Sequence, residues 1–212
     1  MSEVFINLLS NSEEKILISL EPFFKKEGFL SGGTALMLQK PIRKSYDFDL
    51  FFPYEIPPGF AKLASKAFNS QIEILVDNCD ELTFIANSIT KVSFIFFPFK
   101  RKYKLVVAEN FIKLSSYKDI ASDKAYAIGR RSEYRDYVDL FIILKDGFSF
   151  SQVIADAKEK FSGQFSEKLF LSQLVYFEDI KDFNVEFLNK KYSVEEVNTF
   201  FQNIVSDYNL LQ

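Results

Sequence analysis

The sequence predicts an α/β (α+β) chain in two parts: an α/β domain with a mixed sheet over residues 1–115, then a helical bundle over residues 116–212. Three observations carry this. Strand-like and helix-like runs alternate through the first half. From Tyr117 onward the apolar spacing is helical to the end. The composition, 48% hydrophobic and 26% charged, is that of a globular protein, and with 26 Phe, 10 Tyr and no Trp, phenylalanine is its main core filler.

The elements follow in order. "EVFINLLSNSEEKILISLEPFFKKEG" has helical apolar spacing and stops at Gly28. "FLSGG" reads as a short strand ending in a turn, after which Thr34 can N-cap a helix through "ALMLQ" that Pro41 ends. "YDFDLFF" is the next strand, and "PPGFAKLASKAFN" is a turn and a helix. "QIEILVD", "ELTFIAN" and "ITKVSFIFFPF" are three strands joined by turns at "DNCD" and "NS". "KYKLVVAENFIKL" adds a strand or two. The helical half then reads "KDIASDKAYAIGRR", "SEYRDYVDLFIILKDG", "SFSQVIADAKEKF", "SEKLFLSQLVYFEDI" and "SVEEVNTFFQNIVSDYNLL".

Composition excludes several chemistries. With no histidine there is no Ser-His-Asp triad, no histidine zinc site and no histidine base. Cys79 is the single cysteine, so no intramolecular disulfide forms, and no histidine is present to activate it as a nucleophile. A metal here must be held by oxygen, which points to magnesium, manganese or calcium. No apolar run reaches membrane-spanning length and the start lacks a signal-peptide pattern, so a cytoplasmic chain without a membrane partner is expected. The formal net charge is −3, yet between Lys91 and Arg135 the basic residues far outnumber Glu109, Asp119, Asp123 and Glu133. Such a segment suits a polyanion such as a nucleotide or RNA, or is simply a set of solvated strand ends and helix faces.

The stretch "SGGTALMLQKPIRKSYDFDLFF" carries the most chemistry. On one strand Asp47 and Asp49 would share a face, with Cα atoms about 6.6 Å apart, while Phe48, Leu50 and Phe52 enter the core. Two carboxylates on one side of a buried strand repel one another and resist desolvation; a divalent cation relieves both problems. Gly32 and Gly33 bring bare backbone up to a helix start, where a phosphate can approach without a Cβ in its way. Either feature alone is commonplace, a turn or a solvated strand face. Their order along the chain is what phosphate and metal chemistry needs.

"GGTAL", then Arg43 and Ser45 leading into "DFDLF", resembles the signature of the AbiEii-type nucleotidyltransferases, toxins of abortive-infection and toxin–antitoxin systems within the polymerase-β-like nucleotidyltransferase superfamily. A second block, "LSSYKDIASDKAYAIGRRSEYRDYVDLFIIL", is similar to the same family. The resemblance spans Phe29 to Leu144 and implies a polymerase-β-like domain followed by a helical region. It implies transfer of a nucleotide from an NTP to an acceptor, with RNA, tRNA ends among it, as the acceptor class and a cognate antitoxin as partner. Under it, Gly32, Gly33, Thr34, Arg43, Ser45 and Lys124 bind the nucleotide, and Asp47 and Asp49 hold Mg²⁺ or Mn²⁺. Lys124 stabilises phosphate charge, and Asp136 orients that lysine or moves a proton, with Asp139 in support.

One position departs from the superfamily pattern: Ser93, in "KVSFIFFPF", stands where a third carboxylate is expected. Glu73 in "QIEILV" is a weak substitute. This leaves open a one-metal enzyme, a slow one, or a nucleotide- or RNA-binding module without turnover that acts through protein partners. Residue by residue, plainer readings stand beside these roles. Lys124 is also an ordinary helix lysine, Arg135 can pair with Asp139 at i,i+4, and "FFPFKRKYK" is a nucleic-acid strip or a buried strand followed by a charged turn.

Overall fold

The structure, a computed structural model, describes residues 4–210. The chain divides into two units. The first holds the residues through Pro41, Ser45–Lys100 and Lys104–Ser116; the second holds Ile42–Lys44, Arg101–Tyr103 and the chain from Tyr117 on.

In the first unit the long helical run at the start is broken into a 3₁₀ turn (Ile6–Leu8) and two helices. Ser10 and Glu13 form a capping box that opens α1 (Asn11–Ser19). Pro22, which has no N–H to give, then sits in the first turn of a separate α2 (Glu21–Phe24). A short strand β1 (Phe29–Ser31), α3 (Gly32–Met37), β2 (Phe48–Phe52) and α4 (Phe60–Ala67) follow. The three consecutive strands are β3 (Ile72–Asp77), β4 (Glu81–Ala86) and β5 (Thr90–Phe96), and "KYKLVVAENFIKL" supplies β6 (Val106–Ala108) and β7 (Ile112–Leu114).

The turns account for the meander of β3, β4 and β5. Asn78 Oδ1 accepts the backbone N–H of both Asp80 and Glu81 at 2.8 Å. Asn87 and Ser88 both take positive φ, 50° and 65°, as a two-residue hairpin turn requires. The sheet runs in the order β3-β4-β5-β2-β1-β7-β6 and is mixed: β2 lies parallel to β5 and β1 parallel to β7, while the other neighbours are antiparallel. One face of its middle is aromatic. Phe23 meets Phe94 with ring centroids 4.3 Å apart, and Phe52, Phe60 and Phe84 pack edge-on around Phe94.

The second unit is helical: α5 (Tyr117–Ile128), α6 (Tyr134–Lys145), α7 (Phe150–Phe161), α8 (Glu167–Leu174) and α9 (Val194–Leu210). Its centre is α6, buried from Tyr137 through Leu144. The helix expected through "LVYFEDI" stops instead at Leu174, and Phe177 turns back to pack on Tyr137 at 5.0 Å. Two short segments join this unit through hydrogen bonds that composition does not announce. Lys44 N–H donates to the Glu186 carbonyl at 2.8 Å and Leu188 N–H to the Ile42 carbonyl at 2.7 Å. Asp119 takes the N–H of Lys102 and of Tyr103, at 3.0 and 2.9 Å. Among the described residues no helix is long and apolar enough to cross a membrane.

Candidate active site

The expected site residues fall into two groups, one in each unit. In the first unit, β2 begins at Phe48, so Asp47 lies just before the strand and not within it as the alternation suggested. The division of faces holds for the rest: Phe48, Leu50 and Phe52 are fully buried on one side, and Asp49 lies half-buried on the other.

Register then defines the surroundings of Asp49. It stands opposite Ser31 of β1 and beside Ser93 of β5, and Ser93 stands opposite Thr83 of β4. Residues level with one another in a ladder share a face, so Ser31, Asp49, Ser93 and Thr83 form one polar row across four strands. One rung earlier, Asp47 Oδ2 lies 3.4 Å from Lys91 Nζ. Glu73 cannot join the acids. Three strand spacings separate β3 from β2 in the sheet order, roughly 14 Å.

Gly32 is required where it is. Its φ is +67°, and a Cβ there would stand 2.9 Å from Asp49 Oδ2. The bare backbone therefore lets the carboxylate lie against the start of α3. Gly32→Ala is expected to cost about 1–2 kcal/mol in unfolding free energy, from left-handed backbone strain alone. It would also push the Asp49 carboxylate aside; chemical unfolding measures the first effect, and loss of any Asp49-dependent binding the second.

Thr34 is not a helix cap. The helix starts two residues earlier, at Gly32, with Ser31 in the cap position. The buried Thr34 hydroxyl instead donates to the Asp47 carbonyl and lies 3.0 Å from Ser45 Oγ, while Ser45 N–H points at Met37 Sδ, 3.3 Å away. Thr34 and Ser45 thus hold the backbone that delivers Asp47. Gly33 lies in the first turn of α3.

The second unit holds Arg43, Lys124, Asp136 and Asp139 in one buried chain of alternating charge. Arg43 grips Asp139 with two nitrogens, Nε to Oδ1 at 2.5 Å and Nη2 to Oδ2 at 2.7 Å. Lys124 Nζ lies 2.6 Å from both Asp139 Oδ2 and Asp136 Oδ1, and Arg131 closes the chain on Asp136 at 2.7 Å. The i,i+4 pair of Arg135 with Asp139 does not form. Asp139 is taken by Arg43, 96 residues earlier, and Arg135 lies by Glu133.

Burial opposes charging of Lys124, but Asp136 and Asp139 outweigh it and hold its pKa above the ordinary lysine value. Burial likewise pushes the Asp136 carboxyl up, and Lys124 and Arg131 more than reverse this, bringing it down to about 2 from 3.8. Lys124 therefore keeps its proton at neutral pH, and Asp136 is a poor proton acceptor that anchors the lysine. Because the folded pKa of Asp136 is depressed, its contribution to stability is complete above pH about 4 and lost as pH falls toward 2. At 1.36 kcal/mol per pKa unit this amounts to about 2 kcal/mol. Urea unfolding between pH 5 and 2 should show that loss, and Asp136→Asn should flatten it.

Sequence reasoning missed Ser31 and Lys91. Period-2 alternation in "TKVSF" puts Lys91 and Ser93 on one face, but only the pairing of β5 with β2 brings that face to the aspartates. Ser31 looked like part of a turn, yet it is buried level with Asp49, and its Oγ has no hydrogen-bond partner among the described residues.

The donors present suit a small hard cation. Magnesium is commonly held by one or two carboxylates together with substrate phosphate oxygens and water. Asp47 and Asp49 offer that number, and Ser31 Oγ is an orphaned polar atom at the same level. No group of three or more His, Cys, Asp or Glu able to hold a metal occurs among the described residues.

No family model matches the chain. It is 32% identical over 190 residues to the uncharacterized protein aq_aa25 of Aquifex aeolicus, covering 85% of this chain and 87% of that one. The chain belongs to the family of aq_aa25. Solved structures show the architecture of this aq_aa25-family protein. A Helicobacter pylori protein described as a candidate nucleotidyltransferase matches with a TM-score of 0.57 at 17% identity, over 96% of this chain and 99% of that one. MenT4, a nucleotidyltransferase toxin of Mycobacterium tuberculosis, matches with a TM-score of 0.57 at 12% identity, over 91% and 82%. The fold is that of the nucleotidyltransferases.

Proposed function

We propose that this protein is a metal-dependent nucleotidyltransferase of the AbiEii type, a toxin that transfers a nucleotide from an NTP to an RNA acceptor of the tRNA class and is held in check by a cognate antitoxin. The observation that carries the reading is the Asp49 carboxylate lying against Gly32 at the start of α3, with Asp47 two residues before it, in a nucleotidyltransferase fold. The likeness to MenT4 supports the toxin role.

Asp47 and Asp49 would hold Mg²⁺ or Mn²⁺, which polarises phosphate oxygens and lowers the pKa of a bound hydroxyl. In the transfer, an acceptor hydroxyl oxygen bonds to the α-phosphorus, the bond from that phosphorus to the bridging oxygen breaks, pyrophosphate leaves, and the hydroxyl proton passes to solvent. Gly32 leaves space for the Asp49 carboxylate at the start of α3, with Gly33 beside it in the first turn. Thr34 and Ser45 set the backbone before Asp47. Within the second unit Lys124 is a fixed positive charge that Asp136 and Asp139 position. Arg43, held by Asp139, belongs to the same buried chain of charges.

The test is incubation with each labelled NTP in turn, Mg²⁺ and total tRNA. Label is expected to enter RNA with one nucleotide preferred. Label entering RNA with none of the four would overturn the reading. Ser93, level with Asp49 where a third carboxylate would stand, favours a second reading, a nucleotide-binding module that works through protein partners. Nucleotide binding by calorimetry without pyrophosphate release would select it.

A further inference from the structure

We infer that Lys91 is a positioning residue of the acid pair, a fixed ammonium at Asp47 that takes the place of a second metal ion and leaves room for a single divalent cation. The inference rests on the nucleotidyltransferase reading and adds to it a residue and an ion count.

The geometry is set by the parallel pairing of β2 with β5. Asp49 is level with Ser93, so Lys91, two residues earlier on β5, shares the face of Ser93 and reaches the level of Asp47. Its Nζ stands 3.4 Å from Asp47 Oδ2. The two rungs thus carry different chemistry. Level with Asp49 in the ladder stand two hydroxyl residues, Ser31 and Ser93. At Asp47 the neighbour is a cation.

Ligand supply separates the alternatives. Asp47 and Asp49 together can hold one divalent ion. A second would find no third carboxylate grouped with them among the described residues, because the residue level with Asp49 is Ser93 and Glu73 is strands away. Two cations close to one another need shared anionic ligands; here an ammonium already occupies one side of Asp47. An ammonium cannot polarise a phosphate oxygen as a metal does, but it neutralises charge without needing ligands of its own.

A solvated lysine and a positioning lysine differ in two readouts of opposite sign. Lys91 competes with a metal for Asp47 and attracts phosphate. Its side chain is 45% exposed, so Lys91→Gln should fold, as thermal unfolding will show. The probes are Mn²⁺ alone, followed by electron paramagnetic resonance, and inorganic tripolyphosphate, followed by calorimetry. The wild-type chain is expected to bind one Mn²⁺. Lys91→Gln is expected to bind Mn²⁺ about threefold to tenfold tighter and tripolyphosphate weaker by a similar factor, the range for an exposed charge at this distance. Two Mn²⁺ per wild-type chain, or Mn²⁺ affinity unchanged or weakened in Lys91→Gln, would overturn the role of Lys91 while leaving the transferase reading in place. No Mn²⁺ bound to the wild-type chain would overturn the metal-dependent reading itself, and this inference with it.

Discussion

Asp139→Ala is expected to cost the second unit about 3–5 kcal/mol, the largest stability effect of any single site residue. Asp139 is 1% exposed and accepts from both Arg43 and Lys124, which are themselves 7% and 8% exposed. Alanine would leave two buried cations with only Asp136 between them. The cost comes from stranding charge and not from losing a favourable pair, since a buried ion pair as a whole gains little over apolar packing. Asp139→Asn keeps the shape and one acceptor oxygen but not the charge, and should fall between wild type and alanine. Urea unfolding at neutral pH followed by circular dichroism measures both. A loss below about 1 kcal/mol for alanine would mean that water already reaches the chain of charges.

The second large effect is on chemistry. On the proposed transferase reading, Asp49→Asn should lower nucleotide transfer by about a thousandfold while leaving the unfolding midpoint nearly unchanged. An amide is close in size to the carboxylate and can still lie against Gly32, but it neither neutralises a divalent cation nor binds it comparably. Several kcal/mol of transition-state stabilisation then disappears, at 1.36 kcal/mol per factor of ten. Asp47→Asn should fall in the same direction by less. Asp47 precedes the strand, is 37% exposed and already shares Lys91, so water can replace part of what it supplies. Transfer measured with saturating Mg²⁺ gives the comparison, and near-wild-type transfer by Asp49→Asn would remove Asp49 from the chemistry.

Much of the fold was legible because it is written in local periodicity. Alternation in "FDLFF" gave β2 its buried Phe48, Leu50 and Phe52, and the Asn-Ser pair at positions 87 and 88 marked a hairpin. Helical spacing found α5, α6, α7 and α9. The misreadings occurred where a single residue or a distant contact overrides the period. Pro22 divides the first helical run, and Phe177, docked on Tyr137, ends the helix that "LVYFEDI" would have continued.

For the candidate site, the residues on one short stretch were readable, and their partners were not. Gly32, Thr34, Asp47 and Asp49 are neighbours in sequence, so composition and spacing brought them to notice together. That Asp49 lies against Gly32, that Ser31 and Ser93 flank it, and that Lys91 meets Asp47 all depend on strand register, which is a long-range property. The same holds for Asp139. By sequence its natural partner was Arg135, one helical turn away, whereas the fold assigns it Arg43 from another part of the chain. Periodicity determines which face a residue takes because that depends on backbone geometry alone. Which charge stands opposite it is decided only when strands and helices from distant parts of the chain pack, because burial then forces every ionised group to find a counter-charge wherever the fold supplies one.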